Sequence, residues 1–376
     1  MIAKAKEHEV FRKLRGMMKE QSFDALVAFS PDNVTYTAGF LVPSHLLNRF
    51  RRTISILAGS SFASEIVVTV EETLARERSR FEDIRAYGQF TQEPADVLAD
   101  ALREAGVAEG RIAIELDYMP TRDYLILTKR LPKAKFLECR DLYFTARMHK
   151  TDAEVAVLRR IGALTDKVVG EVLGLIKPGM TEIEVGREIA DRMAEGGCGE
   201  LKCQVGSGVN SGITNCGTSA NEIRRGDVLR AEVLGSMENY RSNVTRTAVV
   251  GKPTEEQKRI WRTLIDARDR CQEMLRPGTK VPDLYRTYVK ACRAGGIEPT
   301  LQFLGHGIGQ TIHEEPYITE NRHIAFEPNF TFTMEPLYMM PGRMGFHIED
   351  MYLITKDGYE RLTGQITPND TLIEIG

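Results

Sequence analysis

One stretch of the chain, residues 305–350, collects the side chains that are best suited to chemistry. It holds His306 among glycines, and the acidic residues Glu335 and Glu349 among apolar neighbours. A carboxylate in apolar surroundings needs a partner, because an unpaired buried charge is costly. An imidazole and two carboxylates in one pocket suit metal ligation or the recognition of guanidinium and amidine groups. The structural alternative is a set of salt bridges around a satisfied core histidine.

The glycines around His306 are the second notable feature of this stretch. Gly305, Gly307 and Gly309 alternate with His306 and Ile308. A residue without a Cβ lets the backbone come very close to another group. We therefore expect the chain to pass tightly against a neighbouring segment here and to leave the imidazole unobstructed.

A polar segment at residues 203–221 is a candidate lining for such a pocket. It carries no charged residue and is rich in Gly, Ser, Asn and Thr. This composition excludes a core helix and predicts a loop-edged strand beside a polar cavity, with a surface hairpin as the alternative. Cys216 lies in it and would be a nucleophile if a histidine lowered the pKa of its thiol. A small buried cysteine is the commoner outcome.

Strand and helix patterns alternate over the first part of the chain, which predicts an α/β unit with a partly parallel sheet. Hydrophobic spacing predicts helices at 8–20, 93–106 and 120–130 and strands at 24–29, 53–58, 65–70 and 112–115. Ser30-Pro-Asp-Asn is interpreted as a turn.

A second unit begins at about residue 148 with a different order of elements. Thr151 with Glu154, and Thr181 with Glu184, have the capping-box spacing that starts a helix. Two helices, a strand-rich part, a helical pair at 254–275 and 281–295, and more strands follow. This order predicts an internal duplication.

Length, charge and composition limit the classes of function that this chain can have. The chain has 376 residues, enough for two or three domains, and a formal net charge of -3. This balance gives no electrostatic reason to expect nucleic acid or a membrane surface as a partner. No apolar stretch is long enough to span a membrane and no secretory signal is visible, so we expect a cytoplasmic protein with its six cysteines reduced. A zinc ribbon at Cys198 and Cys203 lacks a second ligand pair.

The motifs GHGIG, HEEP, MEP and IED, in this order, resemble those of the pita-bread family that contains methionine aminopeptidase, aminopeptidase P, prolidase and creatinase. The segment from Gly226 to Thr247 is similar to the family's GD motif and its D-x-T-R-T motif. SFDALVAFSPDNVTYTAGF is similar to the start of the N-terminal domain in the prolidase and creatinase branch. The resemblance implies an α/β N-terminal domain at 1–147. It also implies an α+β pita-bread domain at 148–376 with pseudo-twofold αβ repeats.

The resemblance also implies a ligand set, from which this chain departs. Metallopeptidases of the family hold two divalent ions with Asp, Asp, His, Glu and Glu; His306, Glu335 and Glu349 match, whereas Glu232 and Asn243 replace the two aspartates. Asn243 is a weak, neutral ligand that cannot supply the charge of a bridging carboxylate. We therefore favour no cofactor. The alternative is one Mn, Fe, Co or Zn ion on Glu232, His306, Glu335 and Glu349.

Creatinase works on the same fold without metal, and this chain departs from it as well. Its proton-transferring histidine corresponds by position to Asn215, which cannot act as a general base. The remaining candidates for catalysis are Glu232, His306, His313, Glu335 and Glu349. Candidates for contacting substrate are Asn215, Cys216, Asn243 and His347, the last at a position where the family usually has an arginine. We expect the imidazoles of His313 and His347 to titrate near neutral pH.

Three arginines in the N-terminal domain, Arg49, Arg51 and Arg52, form the other cluster of interest. In creatinase-like dimers this part of the domain reaches over the partner's active site. Arg49 and Arg51 would there clamp a substrate carboxylate. A solvated basic loop is the alternative. We expect a homodimer with a small-molecule substrate.

The leading hypothesis is a hydrolase that cleaves a carbon–nitrogen bond in a small amide, cyclic amidine or guanidino compound, ectoine-like or creatine-like, without a dinuclear metal centre. The runner-up is a metal-dependent Xaa-Pro aminopeptidase or dipeptidase. A catalytically inactive binding homologue is the third hypothesis; the retained buried charges weigh against it.

Overall fold

The computed structural model describes residues 8–48 and 50–376. The chain divides into two compact units, one up to Arg147 and one from Met148 onwards. Each unit has its own sheets and its own hydrophobic clusters.

The N-terminal unit is built on one mixed six-stranded sheet. Its strands are β1 (Ala25–Ala28), β2 (Ile54–Ala58), β3 (Phe62–Val68), β4 (Asp83–Tyr87), β5 (Arg111–Ile114) and β6 (Lys135–Glu138). They lie in the order β4-β3-β2-β1-β5-β6. The pairs β1–β2 and β2–β3 are antiparallel, and the other three pairs are parallel.

Both faces of this sheet are buried, which explains the apolar runs. Leu26 and Ala28 face one cluster, whereas Ala25 and Val27 face the other. The helices are α1 (Glu9–Glu20), α2 (Pro31–Ala38), α3 (Pro43–Leu47), α4 (Glu72–Arg78), α5 (Pro94–Glu104), α6 (Thr121–Arg130) and α7 (Arg140–Met148).

The turn predicted at Ser30–Asn33 is wrong, because these residues begin helix α2. The Ser30 side chain accepts a hydrogen bond from the backbone N–H of Asn33, and Pro31 occupies the first helical position. Serine as N-cap and proline at the first position are favourable at a helix start. The same residue types also favour turns, so the sequence signal was ambiguous.

The C-terminal unit contains two helix pairs and three sheets. Its helices are α8 (Asp152–Leu173), α9 (Glu182–Glu195), α10 (Glu255–Gln272) and α11 (Val281–Ala294). Its strands are β7 (Leu201–Ser207), β8 (Val228–Met237), β9 (Tyr240–Arg241), β10 (Val244–Val250), β11 (Thr331–Met334), β12 (Leu337–Met340), β13 (Met344–His347), β14 (Asp350–Ile354), β15 (Tyr359–Arg361) and β16 (Ile373–Ile375).

Each helix pair of this unit packs on its own strands. Helices α8 and α9 share a cluster with β7, β8 and β10, and α10 and α11 share one with β11, β13 and β14. Thr151 and Thr181 make the predicted capping boxes. The order of two helices followed by strands, repeated once, confirms the predicted fold class.

The two repeats meet through a short backbone bridge. The N–H of Thr245 in β10 donates to the carbonyl of Glu349 over 3.2 Å, and the N–H of Glu349 donates back over 3.3 Å. Glu349 lies between β13 and β14. A strand of the first repeat therefore fixes the backbone of an acidic residue of the second.

The N-terminal unit contains a buried acid that yields a stability prediction. Glu65 in β3 is fully buried and accepts one hydrogen bond from Ser79, and burial raises the pKa of its carboxyl to about 7. An acid with a raised pKa stabilises the fold at low pH, and this contribution is lost as the pH rises from the unfolded pKa through 7. Compared with Glu65→Gln, the wild-type protein should lose about 2–3 kcal/mol of unfolding free energy between pH 5 and pH 8. Denaturant titrations of both proteins at the two pH values check this, and parallel losses would contradict it.

Candidate functional site

Three side chains of the C-terminal unit converge in its interior. Ligand atoms of His306, Glu335 and Glu349 lie within 4.8 Å of one another, and all three residues are buried. The Nε2 atom of His306 lies 3.3 Å from Oε1 of Glu335. The structure therefore brings together the histidine and the two glutamates that the sequence singled out.

The backbone around His306 is held tightly against β11. The N–H of Thr333 donates to the carbonyl of His306 over 2.7 Å. A Cβ on Gly305 would lie 1.9 Å from the carbonyl oxygen of Thr333, and one on Gly307 would lie 2.1 Å from that of Glu315. No side chain fits at such distances, so the predicted close approach at these glycines is confirmed.

Hydrogen bonds orient the members of the cluster. Nδ1 of His306 lies 2.9 Å from the carbonyl oxygen of Gly307, which can only accept, so Nδ1 carries the proton and Nε2 of the neutral ring presents a lone pair. The ring of His313 stacks on that of His306 with 3.7 Å between centroids. The hydroxyl of Thr245 donates to Oε2 of Glu349 over 2.8 Å.

Burial and mutual repulsion dominate the electrostatics of the cluster. Burial, followed by the charge of Glu232, raises the pKa of Glu335 well above its ordinary value. Burial and the charges of Glu335 and Glu232 do the same to the pKa of Glu349. Burial lowers the pKa of His306 to about 3, so its imidazole is neutral at physiological pH. A cation placed between these groups would relieve the repulsion.

The expectation that His347 titrates near neutral pH is wrong. Its imidazole is fully enclosed, and burial and the charge of Arg230 hold its pKa well below the ordinary value. Its Nε2 atom lies 3.4 Å from Oε2 of Glu335 and 3.8 Å from Oε2 of Glu349. Burial and the charge of Lys202 also lower the pKa of His313. Both rings are therefore neutral partners of the cluster.

The structure separates Glu232 from the compact cluster, although the sequence placed it in the candidate ligand set. The carboxylate of Glu232 pairs with the guanidinium of Arg230, with 3.1 Å between Nη1 and Oε2. Arg230 is almost fully buried in β8 and was missed by sequence reasoning. A charged residue two positions before Glu232 in an apolar strand lies on the same face, and that alternation was the available signal.

The structure gives the other predicted contact residues buried positions or local partners. Asn243 is buried, between β9 and β10. Asn215 accepts a hydrogen bond from Gln204 over 3.4 Å. The sulfur of Cys216 accepts one from Arg230 over 3.5 Å, and burial raises the pKa of its thiol although Arg230 opposes this. A raised pKa disfavours the thiolate that a nucleophile requires.

Two arginines of the predicted N-terminal cluster have local partners. Arg51 donates to Gln89 over 3.1 Å, and Arg52 pairs with Asp123 over 3.1 Å. Arg49 lies outside the described residues. A role of Arg49 or Arg51 in substrate binding stays a prediction.

Polar atoms without partners show what the cluster can hold. Within residues 8–48 and 50–376, no hydrogen-bond partner is found for Nε2 of His306 or for one oxygen each of Glu335, Glu349 and Asn243. Buried polar atoms are normally satisfied, so each such atom needs an explanation. An imidazole nitrogen and two carboxylate oxygens suit one divalent transition-metal ion. The donor set fits one ion better than two, because Asn243 is neutral and Glu232 is paired with Arg230.

Comparison with known families agrees with this site. The profile of metallopeptidase family M24 matches residues 156–356, and that of the creatinase/prolidase N-terminal domain matches residues 11–149. The chain therefore belongs to metallopeptidase family M24, with a creatinase/prolidase N-terminal domain. The sequence-based assignment to the family and to its creatinase and prolidase branch is confirmed.

Several relatives have names that specify an activity. A probable dipeptidase PepE of Mycobacterium bovis is 32% identical over 245 residues, which cover 64% of this chain and 65% of that protein. The chain thus spans just under two thirds of that relative. An Xaa-Pro dipeptidase of Pyrococcus horikoshii is 26% identical over 95% of this chain and 97% of its own length. The dipeptidase PepE structure from Mycobacterium ulcerans has a TM-score of 0.85 at 25% identity, covering 98% of this chain and 97% of its own.

These names favour the metal-dependent dipeptidase hypothesis over the small amidine or guanidino substrate that the sequence placed first. The family is one of metallopeptidases, which agrees with the alternative of a divalent ion. Among the residues that the structure describes, none of the helices has the length and apolar character to cross a membrane.

A buried ion network anchors the backbone of Glu349, one member of the cluster. Arg246 in β10 is fully buried and pairs with Asp166 and Asp350, each over 2.8 Å, and it also donates to the carbonyl of Glu349 over 2.9 Å. Asp350 also pairs with Arg361 over 2.6 Å. The backbone of Glu349 is thus anchored by a guanidinium as well as by the bridge to Thr245.

Replacing Arg246 by methionine should lower the free energy of unfolding by about 3–5 kcal/mol, because two buried carboxylates lose a partner. Arg160→Met, which breaks an exposed ion pair with Glu238, is the matched control and should cost less than about 1 kcal/mol. Denaturant unfolding measures both variants. Equal losses would contradict the role given to Arg246.

Proposed function

We propose that this chain hydrolyses the amide bond of a dipeptide or similarly small peptide, with one divalent ion held by His306, Glu335 and Glu349. The observation that carries the proposal is the convergence of His306, Glu335 and Glu349, whose ligand atoms lie within 4.8 Å of one another and each of which has a buried polar atom with no hydrogen-bond partner. The dipeptidase names of its relatives favour a peptide substrate.

The residues of the site have separable tasks. When bound, the ion would polarise a substrate carbonyl and activate water. His306 offers Nε2 because Nδ1 is committed to the carbonyl of Gly307. Thr245 fixes the orientation of Glu349. Glu232 stands beside the cluster, paired with Arg230, and is the carboxylate available to accept a proton.

A metal-free hydrolase of a cyclic amidine or guanidino compound is the second candidate. It is favoured by one observation, the neutral Asn243 at a position where the two-ion members of the family carry a carboxylate. Three carboxylates in one pocket would then bind the positively charged nitrogen group directly. The expected homodimer, with its N-terminal domain over the partner's site, remains a proposal for either substrate.

Removal of the ion should distinguish these two activities. We expect protein dialysed against chelator to lose hydrolysis of dipeptides, including Xaa-Pro dipeptides, and to regain it with Mn, Fe, Co or Zn ions. Glu335→Gln should weaken ion binding, whereas the exposed Glu320→Gln should leave it unchanged. Elemental analysis and turnover assays measure these effects. Chelator-resistant turnover of a cyclic amidine or guanidino acid would favour the second candidate, and inactivity on all substrates would favour a binding homologue.

The hydrogen bond from Thr245 to Glu349 gives a finer prediction. Thr245→Val keeps the shape of the side chain and removes the donor, so affinity for the ion should fall by roughly 10–100-fold. Thr331→Val is the control, because the buried Thr331 hydroxyl donates to the carbonyl of Ile308 and not to a cluster side chain. Calorimetric titration with Mn²⁺ measures both, and equal affinities would contradict the proposed role.

A further inference from the structure

The interior of the catalytic unit holds a positive charge that the proposed reaction does not require. Arg230 in β8 is 1% exposed. Its Nη1 atom binds Glu232, and its Nη2 atom donates to the carbonyls of Ile213 over 2.5 Å and Thr214 over 2.8 Å. A buried guanidinium with these fixed partners is part of the site's architecture, since a charge is rarely buried without a role or a pair.

We propose that the guanidinium of Arg230 takes the place of a second cation and limits the site to one divalent ion. The inference rests on the proposed function, because it assumes that His306, Glu335 and Glu349 hold the first ion. It extends that function by assigning to Arg230 the charge compensation that a second ion would supply to Glu232.

Charge counting supports this assignment. The side chains counted are the three carboxylates of Glu232, Glu335 and Glu349 and the buried guanidinium of Arg230; Lys202, whose charge also reaches Glu232, is exposed and is screened by solvent. Together they leave two negative charges, which one divalent ion neutralises. A second divalent ion would leave an excess of two positive charges in a low-dielectric interior, which is strongly unfavourable.

The positions of the possible metal ligands also favour a single ion. A second ion would need further ligands, and the candidates are Glu232 and Asn243, which is buried two residues before Thr245, the donor to Glu349. The carboxylate of Glu232 is already bound to Arg230. Asn243 offers a neutral oxygen, which binds transition-metal ions weakly. Arg230 and Asn243 therefore both disfavour the binding of a second ion.

Metal stoichiometry tests the inference without depending on activity. We compare wild-type protein, Asn243→Asp, Arg230→Met and the double variant Arg230→Met/Asn243→Asp, each loaded with Mn²⁺ and measured by elemental analysis and electron paramagnetic resonance. The wild type should bind one ion per chain with the signal of an isolated Mn²⁺. Asn243→Asp alone should also bind one, because Arg230 remains. The double variant should bind two, with an exchange-coupled signal.

Arg230→Lys/Asn243→Asp is the matched control, since it keeps a cation in place of the guanidinium and should stay at one ion. Circular dichroism and thermal melting establish that each variant is folded. If Arg230→Met/Asn243→Asp does not fold, Arg230→Gln/Asn243→Asp, which keeps a hydrogen-bond donor for the two carbonyls, replaces it.

The outcomes separate this inference from the proposed function. Two ions in the wild type, or one ion in a folded double variant, would overturn the role of Arg230 and leave the hydrolase proposal intact. No ion in the wild type would overturn the metal-dependent function. In that case a gain of ions in the double variant over the wild type would still support Arg230 as the group that excludes a cation, and no gain would overturn it.

Discussion

The free-energy cost of placing several negative charges in one buried pocket determines how the site of this protein is built. Burial raises the pKa values of Glu335 and Glu349, and the charge of Glu232 adds to the effect on both. A positive counterpart relieves the repulsion and keeps the carboxylates ionised. Arg230 supplies one such charge from within the chain, and in our proposal a divalent ion supplies the remainder.

The scaffold explains how a chain tolerates this cluster. Two helix pairs cover two sets of strands, and the strands of the two repeats join at the bridge between Thr245 and Glu349. Arg246, which pairs with Asp166 and Asp350, donates a hydrogen bond to the carbonyl of Glu349 at this junction. The backbone of Glu349 is therefore held by hydrogen bonds with Thr245 and from Arg246, and Glu232 is held by its pair with Arg230.

The departures from the family's usual ligand set are consistent with one another. Glu232 and Asn243 differ from the pattern that the resemblance implies, and Arg230 lies beside Glu232. On our proposal, the neutral amide of Asn243 and the buried guanidinium of Arg230 both reduce the capacity for a second ion. We interpret them as one coordinated change in the site's charge.

The sequence by itself determined the capping boxes of α8 and α9, the close approach at Gly305 and the three cluster residues, because each leaves a local mark in residue type or spacing. It determined the fold class through its resemblance to the family's motifs. The turn at Ser30 failed because the same residues favour turns and helix starts. Only the tertiary structure decided the protonation of His347, the pairing of Glu232 and the place of Arg230. These depend on burial and on distances between strands far apart in the chain, and neither quantity is encoded in local spacing.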